Sequence, residues 1–242
     1  MSALGHYIEE EGIATVAISM IRPQTENTKP PRALWVPFEL GRPFGPPGDA
    51  VFQRRVILAA LRMLEEGGGP VRLVDFPEDD PRERPDPGWS PPFVADASGE
   101  GSPGALADAF ETELVRLGPA YARSITALGR TTVGLSGLPI AEAAGYVAAW
   151  LCGPAPQSPV ADMSAPLALR FAIDDVKAYF LEAALAPGTR PSSRQLVHWL
   201  WRQNAAGKAI FALRSANLEA ADERLKLIAG NFMVPARVLA TG

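Results

Sequence analysis

Apolar residues change their spacing several times along the chain. Leu4, Tyr7 and Ile8 fall at i, i+3 and i+4 with glutamates behind them, which predicts an amphipathic helix over residues 2–11 closed by Gly12. The spacing then tightens to nearly continuous apolar runs. Residues 13–21 (IATVAISMI) and, beyond a polar proline-rich loop, residues 33–38 (ALWVPF) read as buried strands of a small, partly parallel sheet. Prolines and glycines keep residues 39–49 out of a helix, and Asp49 is placed to cap one over 50–66. In that helix Phe52, Val56, Ala59, Ala60, Met63 and Leu64 repeat at helical spacing, and Gly67-Gly68-Gly69-Pro70 ends it. Residues 71–74 supply a candidate third strand.

Residues 77–104 are dense in Pro, Asp, Glu, Gly and Ser and read as a linker, because few side chains there repay ordering by burial. Trp89 and Phe93 are its conspicuous aromatics, suited to docking the segment onto a neighbouring surface. From residue 105 onward strand signals fade. Helical periodicity covers 106–117, extended by 121–128, then 139–151, 167–186, 192–213 and 218–228. Ser192 with Gln195 makes a capping-box signature, and Pro139 suits a first helical position. The fold class expected is therefore α/β: a small, partly parallel sheet with flanking helices over 1–76, the linker, and an α-helical bundle over 105–242.

Composition narrows the function classes. A chain of 242 residues with 47% hydrophobic residues can bury a core. A net charge of −4 with scattered arginines gives no basic field for a nucleic acid. One cysteine, Cys152, rules out an internal disulfide and any multi-cysteine metal site, and suggests a reducing compartment. The acidic start lacks the basic and apolar regions of a leader, and no apolar run approaches the roughly 20 residues that span a bilayer. The expectation is a cytoplasmic protein with no membrane partner.

The segment GIATVAISMIRPQTENTKPPRALWVPFELGRPFGPPGD, with the glutamates before it and the Leu40-Gly41-Arg42-Pro43 turn within it, resembles the later part of the B component of glycine, sarcosine and betaine reductases and their D-proline reductase relatives, which are selenoproteins. The resemblance covers a quarter to a third of the chain and nothing from Gly104 onward. It implies reductive chemistry on a small amino-acid-like substrate. In that family the chemistry depends on a selenocysteine or cysteine motif N-terminal to this segment. The chain begins after that point, so the nucleophile is expected to be absent, and Cys152 matches no family motif.

The strongest cluster of candidate chemistry joins the loops after the first and second strands: Arg22, Thr25, Glu26, Arg32, Glu39 and Arg42. Ligands of open α/β sheets bind at such loops. Converging arginines would hold a carboxylate by paired hydrogen bonds, and Glu26 or Glu39 would orient an amine. The same residues also suit salt bridges that pin two long loops. A phosphate cradle at residues 41–49 is discounted, since Pro43, Pro46 and Pro47 lack the N–H groups it needs.

His6 and His198, with Asp174, Asp175 and Glu182, are too few and too flanked by arginines for a metal site; Asp174 and Asp175 are expected to face solvent or Lys177. Cys152 at a helix end is expected to be buried and inert. Gly134-Leu135-Ser136-Gly137 lacks a nucleophile-elbow pattern. Trp199, Trp201, Tyr179, Phe180 and Phe211 read as helical core before they read as a pocket.

These readings converge on a reductase-B-like accessory or ligand-binding protein, without cofactor or metal, that works with a separate thiol or selenol protein on a small carboxylate ligand. Self-association into a homo-oligomer is compatible with the sequence. A stand-alone enzyme with a new site between sheet and helices, or a structural interaction protein, are the alternatives.

Overall fold

A computed structural model describes residues 2–66, 70–94, 102–185 and 187–240, and the chain divides into two compact units, Met1–Arg84 and Pro85–Gly242. Gly67, Gly68 and Gly69, residues 95–101 of the expected linker, and residue 186 lie outside the described residues. The fold class is α/β, with a small parallel sheet and flanking helices followed by a helical region.

Among its described residues the first unit holds three parallel strands in the order β1 (Ala17–Ser19), β2 (Arg32–Trp35), β3 (Arg72–Asp75). β1 is shorter than its apolar run because both ends of that run are taken by neighbouring helices. The N–H of Ile13 bonds the Ile8 carbonyl at the end of α1 (Ser2–Glu10), and Glu9 Oε1 accepts from the Thr15 N–H and hydroxyl at 2.8 and 2.9 Å. Ile21 caps α2 (Arg22–Thr28), where Pro23 sits near the helix start with its φ already helical. β2 stops before Pro37, which has no N–H for a ladder.

Side chains alternate between the two faces of a sheet. Ile18, Leu34 and Val74 are register partners on one face. They meet α3 (Ala50–Glu65), whose Phe52, Val56, Ala60 and Met63 close a core with Val36, Phe38 and Phe76. The rings of Phe38, Phe52 and Phe76 lie 5.5 to 6.0 Å apart, two of the three pairs edge to face. Asp49 caps α3 through the Phe52 N–H at 2.9 Å, as its position predicts. Ser19, Trp35 and Asp75 are register partners on the opposite face, and α2 lies against them. Beneath α2 the fully buried Ala33 leaves room for it.

The second unit is helical: α4 (Pro103–Leu128), α5 (Ile140–Cys152), α6 (Ala165–Ala183), α7 (Ser193–His198), α8 (Ala205–Asn217), α9 (Glu223–Asn231) and α10 (Ala236–Ala240). Its core runs from Phe110 and Leu117 through Leu169, Ile173 and Phe180 to Trp199, Leu200 and Ile210. α4 is one helix of 26 residues, and Pro119 removes a donor from its ladder without ending it. Trp89 and Phe93 do dock: Trp89 Nε1 donates to the Ala184 carbonyl at 3.0 Å, and Phe93 stacks edge to face on Trp199 at 5.9 Å. The Ser192–Gln195 capping box is present.

The expected continuous helix over 192–213 is interrupted. After α7 comes a π-helical turn, Trp199–Gln203, and Asn204 adopts an extended backbone before α8 starts. Asn204 Nδ2 bonds the Trp199 carbonyl at 2.9 Å, and the buried Glu113 of α4 accepts from the N–H groups of Ala205 and Ala206 at 2.9 and 3.2 Å. Asn offers the backbone an alternative to the helical ladder, and Glu113 supplies the cap that makes the break stable.

Candidate functional site

The carboxyl ends of the three strands in the first unit end on Ser19, Trp35 and Asp75. Arg22 lies over all three positions' face. Its guanidinium sits 5.0 Å from the Trp35 ring centroid, donates to Glu26 Oε1 at 2.8 Å and donates to Asp75. Glu26 and Asp75 together hold that guanidinium more firmly charged than a free arginine. Thr25 is buried; its hydroxyl bonds the Ile21 carbonyl at 2.9 Å and shares a hydrogen bond with the Ser19 hydroxyl. Residues 22–28 were expected as loop, and they form α2. They carry no apolar stripe, so these polar tethers to the sheet stand in for one.

An open groove of about 430 Å³ runs along α2 between that helix and β3, lined by Thr25, Glu26, Lys29, Pro30, Val71, Arg72 and Leu73. Lys29 ends α2 with φ 46°, its N–H bonded to the Thr25 carbonyl and its own carbonyl bonded to His6 Nε2 at 2.8 Å. Arg72 alternates onto the face of Leu34, where it pairs with Glu66, so its guanidinium belongs to the other side of the sheet. The groove therefore presents one carboxylate, Glu26, and one ammonium, Lys29, at i and i+3 above an apolar wall of Pro30, Val71 and Leu73. A second groove of about 320 Å³ follows β1 and the other flank of α2, lined mainly by Ala17, Ile18, Met20, Gln24 and Thr28.

Of the six residues picked out in the sequence, Arg22, Thr25 and Glu26 come together on α2. Arg32 does not join them. It begins β2, at the amino end of the sheet, and bonds Glu9 Oε1 at 2.5 Å. Glu39 and Arg42 close the turn after β2, where the Arg42 N–H bonds the Glu39 carbonyl at 3.0 Å. Arg22 is paired with Glu26 and Asp75 and Arg32 with Glu9, so the arginines of the cluster are held apart on different elements. Lys29, Trp35, Leu73 and Asp75 were missed. Asp75 had a signal in retrospect, a carboxylate at the end of a third apolar run.

In the second unit the buried carboxylates are held by backbone donors. Asp175, expected at the surface, is 1% exposed, because it accepts the N–H groups of Gly134, Leu135 and Ser136 at 2.8 to 2.9 Å and the Ser136 hydroxyl at 2.5 Å. Glu182 accepts from the Thr131 hydroxyl and from both the N–H and hydroxyl of Thr132, each at 2.7 Å. Asp174 pairs with Lys177 at 2.6 Å as expected. Cys152 is exposed rather than buried, since it ends α5 on the side away from Ala143, Val147 and Trp150. Trp199, Trp201, Tyr179 and Phe180 are core. Among the described residues no three His, Cys, Asp or Glu side chains gather to hold a metal, and no helix is long and apolar enough to cross a membrane.

Comparison with protein-family models, with curated proteins and with solved structures gives no match to this chain.

Proposed function

We propose that the first unit binds a small amino-acid-like ligand in the groove beside α2, and that reductive chemistry on that ligand belongs to a separate thiol or selenol protein. The observation that carries the reading is the Glu26–Lys29 pair set over an apolar wall. Lys29 would take the ligand's carboxylate, Glu26 its ammonium, and Val71 and Leu73 its side chain. A zwitterion complements two opposite charges one helical turn apart, whereas a lone anion or cation would meet one like charge. Arg22 is a positioning residue here: tied to Asp75 and stacked on Trp35, it holds Glu26 in place. The ligand class and the redox partner come from the resemblance of residues 12–49 to the reductase B component. The first unit contains no cysteine, so a thiol step on a ligand in this groove would require a nucleophile from elsewhere.

The test is the thermal shift of the full chain against α-amino acids, betaines, simple carboxylates and simple amines. A ligand at a hundred times its Kd stabilises by about 2.7 kcal/mol, which is readily measured. The expected result is stabilisation by α-amino acids that disappears in Lys29→Met and Glu26→Gln and persists in Arg32→Lys. A flat panel, or a shift that survives both substitutions, contradicts the proposal.

A further inference from the structure

The outer face of α3 carries a pattern that the core of the first unit does not use. Its inward positions, Phe52, Val56, Ala60 and Met63, are buried against the sheet. On the opposite side Val51 is 72% exposed, Leu58 38% and Leu61 49%. With the exposed Arg54 and Glu65, these residues follow one another at steps of three and four, Val51, Arg54, Leu58, Leu61, Glu65. Steps of three and four are the a/d seam of a coiled coil, a straight stripe along a helix. A surface helix needs one apolar face, and this one has two.

We propose that α3 pairs antiparallel with α3 of a second copy of this chain through that seam. The charges choose the partner and the direction. A parallel pair would set Arg54 against Arg54 and Glu65 against Glu65. The antiparallel pair that places Leu58 against Leu61 of the other copy places Arg54 against Glu65 at each end, and two-fold symmetry makes both contacts twice. That register also sets a against d positions, as antiparallel packing requires. Arg55, at the flank of the seam, is already neutralised by Glu78, which it bonds at 2.9 and 2.8 Å, so it adds no net like charge beside the contact. The helix is held in shape by its inner face, so association orders no backbone. Two helical layers and two ion pairs make a small interface, and self-association in the micromolar range is expected.

Sedimentation equilibrium of the full chain over a range of concentrations, with circular dichroism to check folding, reads this directly. The wild-type chain dimerises; Arg54→Glu and Glu65→Arg each weaken the dimer at least tenfold; the two together restore it. Leu58→Glu, at a position already exposed, gives a folded monomer. A wild-type chain that stays monomeric at every concentration overturns the proposal and leaves the seam to a different protein. A dimer that ignores Leu58→Glu, or a double charge swap no better than either single one, overturns it as well.

Discussion

Glu113 tests how the second unit is held together. Glu113 is 7% exposed, and its carboxyl group caps α8 through the N–H groups of Ala205 and Ala206, themselves buried. Glu113→Ala strips both donors of their partner and leaves a void. At roughly 1–3 kcal/mol for each of the two buried unsatisfied donors, the expected loss is about 2–6 kcal/mol. Glu113→Gln keeps the volume and one acceptor oxygen, and should cost less, about 1–2 kcal/mol near neutral pH. The pH dependence separates burial from the cap. Burial pushes the Glu113 carboxyl above its ordinary value of 4.5, and the two N–H bonds only partly oppose it. The folded protein therefore holds this proton more tightly than the unfolded chain. Its stabilising contribution is complete below the unfolded value and is lost as pH rises through the folded one, at up to about 1.4 kcal/mol per pH unit between them. Urea unfolding of wild type and Glu113→Gln from about pH 4 to about pH 8 cancels every other titrating group. Tryptophan fluorescence suits the assay, because Trp89, Trp150, Trp199 and Trp201 all lie in the second unit. The advantage of wild type over Glu113→Gln should be largest at acid pH and shrink as pH rises. An advantage that grows with pH would mean the α8 N-terminus prefers the ionised form strongly enough to outweigh burial, and would refute the reasoning.

Three further outcomes follow from the same contacts. Gly207→Ala would set a Cβ 2.3 Å from the Leu200 carbonyl oxygen, so the π-helical turn must shift; about 1–3 kcal/mol of stability should be lost despite the better helix propensity of alanine, measured by denaturant unfolding. Asp175→Ala frees the N–H groups of Gly134, Leu135 and Ser136 and should cost about 3–5 kcal/mol, with hydrogen exchange of those amides rising before the rest of the unit opens. Glu9 is the opposite case to Glu113. Burial raises its carboxyl, but the Thr15 N–H, the Thr15 hydroxyl and Arg32 together bring it below 4.5, so its contribution is present above that value and is lost as pH falls. Arg32→Ala should therefore weaken the first unit at pH 7 and make its acid unfolding less steep, followed by circular dichroism.

Much of the architecture was legible because local signals agreed with each other. α3 had its apolar repeat and Asp49 at the cap, and α7 had Ser192 and Gln195. The misses share a cause, which is a partner far away in sequence. α2 has no apolar stripe, and its order comes from Ser19, Trp35 and Asp75. The break at Asn204 sits inside unbroken apolar periodicity, and it is Glu113, some ninety residues earlier, that caps the new helix. Asp175 looked like a surface charge, and the loop once weighed as a nucleophile elbow, Gly134-Leu135-Ser136-Gly137, instead wraps it with donors. The candidate site divides the same way. Arg22, Thr25 and Glu26 lie within one turn of each other and were found together, whereas Lys29 was hidden in a proline-flanked polar run, and Leu73, although inside the expected third strand, carried no sign that it lines a groove.

Ligand binding at the α2 groove is the central claim, and calorimetric titration of the full chain with an α-amino acid tests it most directly, with the N-acetylated acid and the amino acid amide beside it. The account predicts one binding site for the zwitterion, loss of binding when either the ammonium or the carboxylate is blocked, and loss of binding in Lys29→Met. Equal binding of the blocked ligands, or binding untouched by Lys29→Met, would contradict it.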